Sequence, residues 1–238
     1  MPAPFFRFKQ FTVWHNQCAM KVGTDGVLLG AWAPVDTTIK RILDIGCGSG
    51  LVALMLAQRC PDACITAIDI DQGAYHQSVY NFEQSPWSNR LTALHSSLQE
   101  FNFHGQRFDL VVSNPPWFSN SLRNPGLSRA TARHDDTLPL ETLLKQADKL
   151  VNETGSIVVI LPVSDSQKCV KLAERFGFYC NSSVVIIPKP GAEPKRVLLA
   201  FNRTEKQAVV QELVLETQNR GEYTPDFAAL VRDFYLKL

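Results

Sequence analysis

A doubly wound α/β fold, with a mostly parallel sheet of about seven strands, is predicted for this 238-residue chain by three observations. Short β-branched runs alternate with stretches at helical spacing, the pattern of strand–helix–strand units. A glycine-punctuated turn, Gly46-Cys47-Gly48-Ser49-Gly50, follows the apolar run Arg41 to Ile45 and leads into the helix formers Leu51 to Ala57. The Pro/Gly-rich link Pro188-Lys189-Pro190-Gly191 leaves no room for a helix between the last two strong strands. Those two therefore pair antiparallel.

Length and composition set the bounds. The chain suffices for one sizeable α/β domain with a small appendage, and we divide it at residues 1–33 and 34–238. With 45% hydrophobic and 20% charged residues it has a globular balance, which argues against disorder. A net charge of +1 excludes a polycation, so any contact with nucleic acid rests on local patches. Cysteines 18, 47, 60, 64, 169 and 180 form no Cys-x-x-Cys pair and no zinc spacing. They read as free thiols of a reducing compartment, with no metal. Met1 to Arg7 lacks a secretory apolar region, and no run approaches the roughly 20 residues of a membrane span. The expectation is a cytoplasmic chain that does not enter a membrane.

Taken in order, Phe6, Phe8 and Phe11-Thr12-Val13 suggest one strand and Cys18-Ala19-Met20-Lys21 a second, turning at His15-Asn16-Gln17. Their aromatics admit two readings, core packing or a platform for RNA bases. Gly23-Thr24-Asp25-Gly26 offers a cap for a helix through Trp32, stopped at Pro34. After the strand at 41–45 and its helix come a strand at 64–69, a helix from Asp71 to Glu83, and a strand at 90–95. The fourth core strand is Phe108 to Ser113, and a helix with apolar residues at 140, 143, 144, 147 and 150 precedes a fifth at 156–161. A helix from Ser164 to Phe176, strands at 183–187 and 196–201, a short strand near Leu213, and a helix from Thr224 to Leu236 complete the chain.

The glycine turn marks a ligand site at the carboxyl end of the first core strand. A dinucleotide turn would carry a third glycine where this chain has Leu51. Here the glycines alternate after Asp44, whose charge would repel a pyrophosphate and suits a cationic amino acid. This spacing resembles the motif I loop of class I S-adenosylmethionine-dependent methyltransferases. That resemblance implies their Rossmann-like fold, with Asp44, Gly46, Gly48 and Gly50 at the cofactor. Asp69, about 20 residues beyond the loop, is placed to accept both ribose hydroxyls. Ile70, Ser97 and Leu98 are expected to border the cofactor. Related enzymes often carry an acid there to hold the adenine amine, whereas this chain has serine, which leaves base recognition to Ser97 or to backbone.

Asn114-Pro115-Pro116-Trp117 ends the fourth strand. An exocyclic amine is a poor nucleophile, because its lone pair is delocalised. The Asn114 oxygen and the Pro115 carbonyl can accept its two N–H groups and stabilise the positive charge that methyl transfer leaves on nitrogen, the inverse of an oxyanion hole. Prolines 115 and 116 stiffen the loop, and Trp117 offers a flat face for the target ring. Asn114 also lies where it would touch the cofactor. Alone the tetrapeptide reads equally well as a turn. With the glycine loop and Asp69 it resembles the amino-methyltransferases of adenine N6, guanine N2 or the release-factor glutamine amide.

The whole chain resembles one bacterial family more closely. Phe8-Lys9-Gln10-Phe11, the run Cys18 to Trp32, Ala132-Arg133-His134, and Tyr223-Thr224-Pro225 to Leu236 are similar to the tRNA adenine-N6 methyltransferases that modify the adenine 3′ of the anticodon of a valine tRNA. The likeness implies that S-adenosyl-L-methionine is the cofactor, that Lys21, Thr24 and Asp25 border it, and that the partner is a tRNA anticodon stem-loop bound by a monomer. Helix capping is the alternative for Thr24 and Asp25. Arg123, Arg129 and Arg133, in an acid-free stretch after Asn114, and Lys189, Lys195 and Arg196 near the hairpin are candidate RNA contacts. They read equally well as a solvated face. An anticodon-loop adenine is already unpaired, so little energy is needed to splay it out. Two other functions stay open: an amino-methyltransferase of ribosomal RNA or of a protein glutamine, and a catalytically silent cofactor- or RNA-binding subunit.

Overall fold

The structure, a computed structural model, describes residues 3–18, 20–115, 139–219 and 221–238. Strand β3 (Arg41–Ile45) lies inside an eight-stranded sheet. On one side it pairs parallel with β4 (Cys64–Asp69), and β4 with β5 (Leu91–His95). On its other side come β6 (Phe108–Ser113) and β7 (Val151–Pro162), both parallel. Then β9 (Arg196–Asn202) runs antiparallel between β7 and β8 (Tyr179–Ile187), as the short link between the hairpin strands demands. The strand near Leu213 is β10 (Val209–Val214), which joins β8 in parallel and makes the eighth strand at the edge. The order therefore reverses direction of growth between β3 and β6, where open α/β sheets bind ligands.

Both faces of the sheet are covered. On one face α1 (Thr24–Trp32), α2 (Leu51–Arg59) and α6 (Pro225–Val231) share a core with Phe8, Phe11 and Val13. On the other, α4 (Leu140–Leu150) and α5 (Ser166–Arg175) bury Leu143, Leu144, Ala147, Cys169 and Ala173 against β6, β7 and β9. Helix α1 is buried from Gly26 to Ala31, so it has no polar face to turn outward. It packs on α2 through two glycines: a Cβ at Gly26 would lie 2.9 Å from Leu51 Cδ2, and one at Gly30 would lie 2.8 Å from the Met55 sulfur. Arginines finish both helices. Arg59 donates to the Gly30 and Ala33 carbonyls at 2.9 and 2.8 Å, and Arg90 to those of Cys60 and Ala63 at 2.9 Å.

The N-terminal hairpin differs from the sequence expectation. Strand β1 (Phe5–Arg7) pairs antiparallel with β2 (Thr12–Trp14), and the chain turns at residues 8–11, not at His15-Asn16-Gln17. Phe8 and Phe11 are both buried, their rings stacked 4.6 Å apart, and the Phe8 N–H donates to the Phe11 carbonyl at 2.8 Å. Two aromatics three apart that both seek the core bend the chain between them, because strand alternation would expose one. Cys18 and Met20 are accordingly outside any strand. The aromatics divide: Phe8 and Phe11 are core, whereas Phe5 and Phe6 stay 38% exposed. Helix α6 stops at Val231, short of Leu236.

Candidate active site

The strand registers bring four chain segments to one level. Ile45 of β3 stands beside Ile68 of β4 and Ser113 of β6, and Asp69 stands beside His95 of β5. The loops that follow therefore open on one cavity of about 690 Å³, lined among the described residues by Gly46, Gly48, Asp69, Ile70, Ser97, Leu98, Asn114 and Pro115 from the sequence-predicted set. Asp69 and Asn114 lie two strand spacings apart, about 10 Å, the span of a nucleoside.

The glycine loop is held by its own backbone. The Gly46 and Cys47 N–H groups donate to the Ile68 carbonyl at 2.9 and 3.1 Å, and Gly50 N–H donates to the Cys47 carbonyl at 2.8 Å. Gly46 and Gly48 have φ of +68° and +55°, conformations that glycine adopts without strain. A Cβ at either would meet no atom within 4 Å, so the room these residues leave belongs to the cavity they line.

Asp69 is shaped as an acceptor. Gly48 N–H donates to its Oδ2 at 2.8 Å and Asp71 N–H to its Oδ1 at 2.9 Å. Each oxygen keeps a lone pair for a ligand hydroxyl, since a carboxylate has about four acceptor positions. Burial pushes its carboxyl above the usual carboxylate range, opposed by those two N–H bonds, which favour the charged form. Ile70 and Leu98 supply apolar walls. Ser97 Oγ donates to Glu100 Oε2 at 2.9 Å and accepts the Glu100 N–H at 3.2 Å, so much of its hydrogen-bonding capacity is engaged.

Other members of the predicted set stand away from this lining. Asp44 is 1% exposed, and its Oδ2 accepts the Ala53 N–H at 3.1 Å at the start of α2. Burial raises its carboxyl to about 7, with the Asp69 charge adding to the rise. Gly50 caps α2 with φ +79°, where a Cβ would lie 2.5 Å from the Phe82 ring. Lys21 and Thr24 are exposed, and Asp25 pairs with Arg196 Nε at 2.8 Å. Lys189 and Lys195 are exposed on the β8–β9 turn. Because Pro162, the last residue of β7, stands beside Arg196, this turn lies at the sheet edge from which Asn114 emerges. Pro116, Trp117, Arg123, Arg129 and Arg133 lie outside the described residues.

The cavity also uses residues that motif reading passes over: Cys18, Met20, Asp71, Ser96, Pro139 and Thr142. Asp71 carried a signal, two residues beyond Asp69 at the start of a helix, where its Oδ1 caps α3 (Gln72–Glu83) through Ala74 N–H at 2.7 Å. Burial, with Asp69 and Asp71 nearby, pushes the Cys18 thiol up to about 12, which disfavours its thiolate. All six cysteines are free, and Cys64 is exposed. Among the described residues no group of three or more His, Cys, Asp or Glu could hold a metal, and no helix is long and apolar enough to cross a membrane.

Comparison with known proteins agrees with this geometry. Residues 25–181 match the family described as "Methyltransferase small domain". The chain is 46% identical over 243 residues to the tRNA1(Val) (adenine(37)-N6)-methyltransferase of Bacteroides fragilis, covering all of both chains. It is 44% identical over 234 residues to the protein of that name in Flavobacterium psychrophilum, covering 98% of this chain and 100% of the relative. Among solved structures, a predicted O-methyltransferase from Agrobacterium tumefaciens superposes with a TM-score of 0.71 at 18% identity, over 88% of this chain and 96% of that one, a likeness of fold alone. Matched along its whole length, and carrying a glycine loop, Asp69 and Asn114 around one cavity, the chain belongs to the tRNA1(Val) (adenine(37)-N6)-methyltransferase family.

Proposed function

We propose that this chain transfers a methyl group from S-adenosyl-L-methionine to N6 of adenine 37 of tRNA1(Val). The observation that carries the reading is the single cavity bordered at one end by Asp69 and the glycine loop and at the other by Asn114 and Pro115. The residues fit the methyl donor. Asp69 offers unspent lone pairs for ribose hydroxyls, Ile70 and Leu98 flank an apolar slot for the base, and the bare faces of Gly46 and Gly48 admit the amino-acid arm. When bound, the donor supplies its own electrophilic methyl group, so the chain has to bind, orient and exclude water.

Asn114 and Pro115 perform the orientation. The Asn114 oxygen and the Pro115 carbonyl accept the two N–H groups of the adenine amine, directing the nitrogen lone pair toward the cofactor end. As that nitrogen becomes tetrahedral and positive, the same two dipoles stabilise it without having to reorient. The protonated product amine then releases its proton to water, and no general base is needed. Trp117 stacks on the adenine, and Lys189, Lys195 and the arginines at 123, 129 and 133 meet phosphates of the anticodon stem-loop. Lys21, Thr24 and Asp25 close over the cofactor, and Asp44 acts behind it by holding the start of α2. Residues 1–33 serve as an extension of the catalytic domain at 34–238, and the enzyme works in the cytoplasm as a monomer.

The test is direct. The purified chain is incubated with labelled S-adenosylmethionine and, separately, tRNA, ribosomal RNA and release factor, and products are read by mass spectrometry of sequence-assigned nuclease and protease fragments. The expected product is N6-methyladenosine at position 37 of tRNA1(Val) alone. Label only in ribosomal RNA or in a protein glutamine would replace this reading with one of its two amino-methyltransferase alternatives.

A further inference from the structure

Helix α3 carries a face that is polar and yet buried: Gln77, Ser78 and Asn81 are 1%, 0% and 1% exposed. An amide removed from water costs free energy unless it is hydrogen-bonded, and an apolar side chain would fill the space without that demand. The bonds these amides make run to one short segment and to the glycine loop. Asn81 Oδ1 accepts the Trp14 N–H at 2.9 Å, and Asn81 Nδ2 donates to the Trp14 carbonyl at 2.8 Å. One side chain thus holds both backbone groups of one residue. The same Nδ2 donates to the Ser49 carbonyl of the glycine loop at 2.8 Å. Gln77 Oε1 accepts the Gln17 N–H at 3.0 Å. At Gly73 a Cβ would lie only 2.6 Å from the Gln17 carbonyl oxygen, so helix and segment approach as closely as a glycine permits.

Trp14 stands opposite Phe5 at the end of β2, and the hairpin bonds on through His15 N–H to the Pro4 carbonyl at 2.9 Å, so the Asn81 amide takes up the Trp14 backbone groups that face away from β1. Just beyond the clamp, Cys18 and Met20 line the cavity beside Asp69 and Asp71. The segment is therefore joined to the cofactor end of the cavity from two directions, through α3 and through the glycine loop.

We propose that Gln77 and Asn81 are positioning residues for the cofactor. By fixing the backbone of Trp14 and Gln17 against α3 and the glycine loop, they set where Cys18 and Met20 cover the cavity. Neither amide lines that cavity, so each acts only through the segment it holds. The inference rests on the cofactor site proposed above.

Two variants and one measurement on the parental chain test it. Gln77→Met removes the acceptor at similar volume, and Gly73→Ala pushes on the Gln17 carbonyl while improving the helix propensity of α3. By calorimetry the dissociation constant for S-adenosylmethionine should rise about tenfold in each, the loss of roughly one hydrogen bond. KM for tRNA and turnover at saturating cofactor should stay within about twofold of the parent. The melting temperature of free Gly73→Ala should fall, because a backbone oxygen stands 2.6 Å from the added Cβ, so affinities are compared well below it, and lost cofactor affinity with retained turnover separates positioning from a merely structural role. In the unsubstituted protein the Trp14 and Gln17 amides should exchange slowly with solvent and gain protection on adding the cofactor. Parental affinity in both variants, or unprotected Trp14 and Gln17 amides, would overturn the proposal. No cofactor binding by the parental chain would instead remove the reading on which it stands.

Discussion

The ends of β3 and β6 reach the same cavity from neighbouring strands, yet the described residues that follow them dispose of their polar groups in opposite ways. After β3 the Gly46, Cys47, Gly48 and Gly50 N–H groups and the Ser49 carbonyl all bond within the protein, and Asp44 is turned back to Ala53. After β6 the Ser113 hydroxyl donates to the Ile45 carbonyl at 2.9 Å, tying the strand end to its neighbour, and the chain then presents Asn114 to the cavity. Among the described residues no partner occupies the Asn114 side chain. A loop closed on itself holds a fixed shape for a ligand to bind. An amide that the described residues leave to the cavity, on a strand end tied to its neighbour, is suited to a charge that exists only during reaction. In the proposed function this difference separates binding from chemistry along about two strand spacings.

The largest effect should come from Asn114. Asn114→Ala removes one preorganised acceptor, and the single-turnover rate on purified tRNA should fall on the order of 10²–10³-fold. Affinity for tRNA should change far less, because its anchoring contacts lie elsewhere, and cofactor affinity should stay near that of the parent. Asn114→Asp keeps the acceptor oxygen but adds negative charge near a sulfonium, and partial activity is expected. Near-parental chemistry in Asn114→Ala would reduce the β6 loop to a turn and dissolve the contrast.

Next comes the closed loop. Asp69→Ala removes the acceptor of the Gly48 and Asp71 N–H groups together with the proposed contacts to ribose. Cofactor affinity should drop at least tenfold, since bonds to a charged group are worth about 1.5–3 kcal/mol each. Unchanged calorimetric affinity would take Asp69 out of the site.

Asp44 sharpens the comparison from behind the loop. Its carboxyl rises from an ordinary 3.8 to about 7 on burial. Between those values the folded chain keeps a proton there that the unfolded chain has released. The stability tied to this group is therefore present at low pH and is lost as pH rises from about 4 to about 7. Asp44→Asn cannot titrate and still offers Ala53 an acceptor oxygen. Its melting temperature should decline less than the parent's across that window, and parallel melting curves would mean that Asp44 is charged in the fold.

Much of this architecture was legible in the sequence, and the misses have physical causes. The strands at 41–45, 64–69 and 108–113 are short apolar runs flanked by turn residues, and sheet burial on both faces leaves them no alternative. The placement of Asp69 and Asn114 followed, because strand ends fix what the next residue faces. Asp44 was harder to place. Two residues before the glycine turn it is expected at the cofactor, but its carboxylate turns back to Ala53 of α2. The hairpin at Phe8 to Phe11 failed for a related reason, since which aromatics are core depends on α2 and α6, distant in the chain. Gln77 and Asn81 showed no signal, because a buried amide and an exposed one look alike in a polar helix face.

The smallest effect concerns Arg196, where two proposed roles meet in one ion pair. The sequence makes Lys195 and Arg196 candidate RNA contacts and Asp25 a candidate cofactor neighbour, yet Arg196 Nε lies 2.8 Å from Asp25 Oδ2, joining the hairpin to α1. Both side chains are about one-third exposed, at 35% and 32%, so the pair sits in partial solvent and contributes at most about 1 kcal/mol to stability. Arg196→Ala should therefore shift the melting temperature only slightly. The two roles separate in binding. If Arg196 meets a phosphate, its loss should weaken tRNA binding a few-fold and lower the salt slope by about one, and Asp25→Asn should not reproduce either change. If Arg196 serves to hold Asp25, the two substitutions should lower cofactor affinity alike and leave the tRNA salt slope untouched. Measuring both affinities in both variants decides whether the hairpin belongs to the RNA side of the cavity or to the closed, cofactor side.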